Sequence, residues 1–78
     1  MEIVEIHWVD SWVRGGWDSR ESYSETQVGN ITSVGFLLHQ DEDKIILVQS
    51  VGKDPEQVSD CIVIPKGCVL SWKRLLAS

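Results

Sequence analysis

Apolar and polar residues alternate with a period of two along almost all of this 78-residue chain, which is the pattern of short, half-buried β-strands. Val4, Ile6 and Trp8 share one face of a first strand, and Glu5 and His7 the other. Residues 10–27 interrupt the pattern with serine, glycine and charge, and Ser19 and Glu21 to Thr26 can make at most one or two helical turns. Strand character returns from Val28 to Gln40, where Val34, Phe36 and Leu38 share a face and Gly29 and Gly35 are expected points of bending.

Asp41-Glu42-Asp43 then predicts a tight acidic hairpin turn. Lys44 to Val51 follows with Ile45 and Leu47 on one face and Ile46 and Val48 on the other, so both faces are apolar. A lone antiparallel strand normally wets one face, and this run implies that a second subunit or the long loop covers its outer side. After the turn residues Gly52 to Glu56, Val58 to Ile64 forms a fourth strand. Pro65-Lys66-Gly67 is a short stop, and in the fifth strand Cys68, Leu70, Trp72 and Leu76 alternate with Ser71 and Lys73.

Five strands in 78 residues describe one all-β domain spanning residues 1–78, near the lower size limit for a single unstapled core. The order of its parts resembles the five-stranded SH3-like and Sm-like small barrels. Residues 10–27 look like their long first loop, Asp41 to Asp43 like their distal hairpin, and Ile64 to Val69 like the turn before their last strand. The chain is also similar to uncharacterised small proteins of bacteriophages and integrated elements, through Trp8 to Ser11, Gly16-Trp17, Ser33 to Leu38 and Ile64 to Cys68. That resemblance carries no assigned activity; it implies a genomic setting.

The formal charge of −5 repels phosphate backbones and acidic membrane surfaces. Its distribution is uneven: residues 1–43 hold two basic and nine acidic side chains, and residues 44–78 hold five and three. The start, Met1 to Ile6, is too acidic for a secretory signal, and no apolar run reaches the roughly eighteen residues of a membrane span. The expectation is a cytoplasmic protein, in the host cytoplasm if phage-encoded, with no membrane partner. In that compartment Cys61 and Cys68 read as small half-buried thiols, and not as a disulfide. With His7 and His39 they lack the close spacing of a zinc site, and no metal or other cofactor is expected.

Catalysis is not expected either. His7 and Asp10 fall on opposite faces of one strand, and Ser11 lacks the glycine-flanked elbow that exposes a nucleophile. Asp10-Ser11 reads as a strand-ending turn. Gly15-Gly16 lacks the Lys-Ser or Lys-Thr of a phosphate cradle and reads as the point where the loop turns back so that Trp17 docks.

Three of the four tryptophans, Trp8, Trp12 and Trp17, fall within ten residues. Trp8 has the apolar phase of its strand and is assigned to the core. For Trp12 and Trp17 two readings stay open, a lid on an open end of the barrel and a flat binding surface. An arginine beside an exposed indole can hold an anion or stack on a base, so Trp12, Arg14, Trp17 and Arg20 form the expected ligand-contact set. Lys66, Trp72, Lys73 and Arg74 form the alternative, a basic patch.

These features favour a non-enzymatic binding module, as a homo-oligomer, that holds a host protein segment or a small anionic ligand and so counteracts a host defence or regulatory pathway. The alternatives are an Sm-like RNA or DNA binder, in which ring assembly gathers Lys66, Lys73 and Arg74 on one face, and a structural or assembly component of a virion. The acidic total and the lack of interleaved basic and aromatic residues count against nucleic acid.

Overall fold

The computed structural model describes residues 1–75, so Leu76 of the fifth strand lies outside the described residues. The chain is all-β. Its elements are β1 (Ile3–Asp10), a single-turn helix α1 (Arg20–Ser24), β2 (Gly29–Gln40), β3 (Lys44–Val51), β4 (Val58–Pro65), a 3-10 turn (Lys66–Cys68) and β5 (Val69–Leu75). The strands form one antiparallel sheet in the order β4-β3-β2-β1-β5.

Register places the core on one face of this sheet. Val4, Ile6 and Trp8 of β1 pair with Gly35, Ser33 and Ile31 of β2, Leu37 pairs with Leu47 of β3, and Ile45 pairs with Ile64 of β4. Val4, Ile6 and Ile64 are completely buried, although no second sheet and no long helix covers them among the described residues. A flat sheet would leave that face wet, so the sheet curls on itself, with Cys68 and Val69 after the 3-10 turn packed against the same cluster. Each fully buried aliphatic side chain contributes about 1.5–3 kcal/mol.

The structure alters the detail of β2. Its ladder shifts between Leu37 and His39, and not at Gly29 or Gly35. Gly35 is instead a site of close approach: a Cβ there would stand 3.0 Å from the Val48 carbonyl oxygen and 3.2 Å from Leu47 Cβ. Val34 and Leu38, the apolar phase seen in the sequence, are exposed, and the opposite phase of Ile31, Gly35 and Leu37 meets the core. On β3, Val48 is buried and Ile46 half-buried, so the face opposite the main core is partly covered within the chain.

Candidate functional site

The loop between β1 and β2 is held by its own side chains. Asp10 Oδ1 accepts the Ser11 N–H at 2.8 Å, so Asp10 and Ser11 end the strand as a turn. Ser19 caps α1 by accepting the Ser22 N–H at 3.1 Å. Asp18 lies just before it, where Oδ1 accepts the Ser19 N–H at 2.7 Å and Oδ2 accepts the Ser22 hydroxyl at 2.8 Å. Those two bonds, with a further one from Arg14, hold the Asp18 carboxyl below its ordinary pKa.

Arg14 is the centre of this arrangement. Its guanidinium donates to Asp18 Oδ2 at 2.8 Å, to Thr26 Oγ1 at 2.7 Å and to the Ser22 carbonyl at 3.2 Å. It also lies over the Tyr23 ring. The Tyr23 hydroxyl donates to the Gly16 carbonyl, and Gly16 has φ +92°, a conformation that favours glycine. The loop therefore does turn back at Gly16, as its sequence suggests.

Trp17 does not dock. It is 104% exposed, with its whole indole in solvent. Trp12 is 62% exposed and rests part of its ring on Gly29, whose missing side chain leaves room for it; a Cβ there would stand 3.2 Å from the indole. A shallow groove of about 370 Å³ runs beside Trp12 and is lined by Thr26, Gln27, Val28, Gly29 and Asn30. Neither tryptophan is a lid on the core. Val13 between them is also exposed, and Arg20 stands exposed at the first position of α1.

Of the expected contact set, Trp12, Trp17 and Arg20 thus face solvent, while Arg14 is engaged inside the loop. Sequence reasoning missed the framing residues Asp18, Ser22, Tyr23, Thr26 and Gly29. The spacing of Arg14 and Asp18, and Ser19-Arg20-Glu21-Ser22 as a capped turn, were the available signals.

The alternative patch is dispersed. Lys73 pairs with Glu5 at 3.2 Å and Arg74 with Glu2 at 3.0 Å. Lys66 sits by the β2–β3 hairpin, its N–H bonded to the Asp43 carbonyl at 2.8 Å. Trp72 is opposite Ile6, on the face that carries the core, but at the sheet edge it is 43% exposed.

His7 contacts Thr32 Oγ1 at 3.2 Å and Glu5 at 3.4 Å. Cys61 and Cys68 are free thiols. Among the described residues no group of three His, Cys, Asp or Glu side chains is placed to hold a metal ion, and no helix is long and apolar enough to cross a membrane. No family model, curated protein or solved structure matches the chain.

Proposed function

We propose that this chain is a non-enzymatic binding module that grips a host protein segment with Trp12 and Trp17. The observation that carries this reading is the fully exposed Trp17 on a loop braced by Arg14. An indole held out on an ordered loop loses little entropy on binding, and tryptophan is the residue type most enriched among dominant interface contacts. A protein segment is favoured over a small anion because the Arg14 charge is already met by Asp18. Nucleic acid is disfavoured because Lys73 and Arg74 are each paired with a glutamate. The bacteriophage resemblance makes interference with a host defence or regulatory pathway the natural setting.

The test is affinity capture from bacterial cytosol, with wild type and the Trp12→Ala and Trp17→Ala variants compared side by side, followed by calorimetry with the purified partner. A dominant aromatic contact is worth at least about 2 kcal/mol, so either variant should bind roughly 30-fold more weakly or worse, with an unchanged melting temperature. A partner that binds both variants as tightly as wild type overturns the reading, and so does the absence of any partner selectively retained by wild type.

A further inference from the structure

We propose that the open edge of β2 between Asn30 and Val34 takes up an extended, basic segment of the partner protein as an added antiparallel strand beside Trp12. This rests on the reading of the loop as a grip for a host protein segment, and names how that segment is held.

The two halves of β2 have different neighbours. β1 runs along Gly29 to Phe36, whereas β3 pairs only from Phe36 to Gln40. Before Phe36 the strand therefore has β1 on one side and, among the described residues, no ladder on the other. Parity decides which backbone groups face that gap. The Leu37 N–H donates to the Glu2 carbonyl at 2.8 Å, so Glu2 and Leu37 are a hydrogen-bonded pair next to Ile3 and Phe36. Bonded and non-bonded pairs alternate along an antiparallel ladder, and the register between β1 and β2 is continuous from Ile3 to Asp10. Gly35, Ser33, Ile31 and Gly29 thus bond to β1, and Val34, Thr32 and Asn30 turn their N–H and C=O groups away from it. The side chains of these three are exposed.

Such an edge is a template for another strand, and this one is unguarded. No charged residue and no proline falls between Thr26 and Leu38. The groove beside Trp12 ends at Gly29 and Asn30, where the free backbone groups begin, so one track leads from the indole onto the edge. Main-chain bonds along Asn30 to Val34 supply affinity, and the groove takes an apolar side chain of the added strand.

The surroundings set the charge of the occupant. Residues 1–43, which hold β1, the loop and β2, carry nine acidic and two basic side chains, and one of the two, Arg14, is met by Asp18. Asp10 stands opposite Gly29, and Glu25 precedes Thr26 at the groove. Among the described residues neither has an ion-pair partner. A segment carrying lysine or arginine is drawn to this face, and an acidic one is repelled.

The test sets the purified full chain against a displayed library of random dodecapeptides. Recovered binders should be rich in lysine and arginine. Their affinity should fall about tenfold or more in Thr32→Pro, which deletes one main-chain donor on the open edge and spares the ladder to β1. The same peptides, N-methylated one amide at a time, should lose binding to wild type at every second position of the paired stretch and tolerate the change between, a result that stands even where Thr32→Pro does not fold. A library without binders, binders lacking excess basic charge, N-methylation effects without alternation, or a folded Thr32→Pro that binds like wild type each overturns the proposal. So does a wild-type oligomer that light scattering finds reduced to monomer in Thr32→Pro, which gives the edge to a second copy. Trp12→Ala and Trp17→Ala separate the two readings: binding lost in these but kept in Thr32→Pro removes the added strand and leaves the tryptophan grip, and the reverse removes the grip and leaves the strand.

Discussion

The guanidinium of Arg14 lies 4.7 Å from the centroid of the Tyr23 ring while bonding to Asp18, Thr26 and the Ser22 carbonyl. The planar fork both stacks and donates in several directions, which an ammonium cannot reproduce. Arg14→Lys should therefore loosen the loop nearly as much as Arg14→Ala. Limited proteolysis within residues 11–28 should accelerate by an order of magnitude in both variants. The sheet should be indifferent, because a surface change of this kind shifts stability by about 0.5 kcal/mol or less, a few degrees in melting temperature. Wild-type protease resistance in Arg14→Ala would show that the loop is held by other means.

Gly35 and Gly67 offer a matched pair. A Cβ at Gly35 meets the Val48 carbonyl at 3.0 Å inside the sheet, whereas a Cβ at Gly67 meets nothing within 4 Å. Backbone in a central ladder yields poorly, so Gly35→Ala should cost about 1–3 kcal/mol, the usual range for overpacking. Gly67→Ala should be close to neutral. Chemical denaturation of the two variants checks the contrast, and equal midpoints would mean that β2 and β3 can separate without penalty.

Period two makes β1 legible in the sequence, and with it the burial of Trp8, because alternation alone decides which face of a half-buried strand is apolar. A helical turn within residues 19–26 and the acidic hairpin at Asp41 were equally local and equally readable, although the cap that Ser19 supplies was not read. Trp72 and Leu70 were not. Trp72 keeps the core phase, but β5 lies at the end of the strand order and has a neighbour on one side only; Leu70 loses that phase at the register shift between His7 and Trp8, where Val69 stands opposite Trp8 in its place. Edge position is a property of the whole topology, invisible to periodicity. Arg14 escaped for a related reason: its partners Thr26 and Tyr23 are distant in sequence and reach it only once the loop has turned at Gly16.

Trp8 Nε1 donates to Ser33 Oγ at 3.1 Å across the β1–β2 ladder. Ser33→Ala strands that partly buried N–H and should cost about 1–3 kcal/mol. Trp8→Phe removes the donor together with some packing, so Ser33→Ala made in that background should cost much less. A double-mutant cycle by urea denaturation reads the coupling directly. Additive costs would show that the bond contributes nothing.

The β2–β3 hairpin should show an acid-sensitive contribution from Asp41. Its Oδ2 bonds to His39 Nε2 at 2.8 Å and Lys44 Nζ at 2.9 Å, and its Oδ1 accepts the N–H of Asp43 at 2.8 Å and of Lys44 at 3.0 Å. The His39 contact, then Lys44 and the Asp43 N–H, hold its carboxyl far below the ordinary value of 3.8. A carboxyl depressed on folding adds stability that is fully present above the unfolded pKa and is lost as pH falls towards the folded one. Asp41→Asn keeps an acceptor but removes the charge. The urea midpoint of wild type should exceed that of Asp41→Asn at pH 6, and the gap should hold down to about pH 4.5 and narrow steadily from there to pH 2. A gap that stays constant across that range would mean that the Asp41 charge does not stabilise the turn, and that its acceptor geometry alone is what matters.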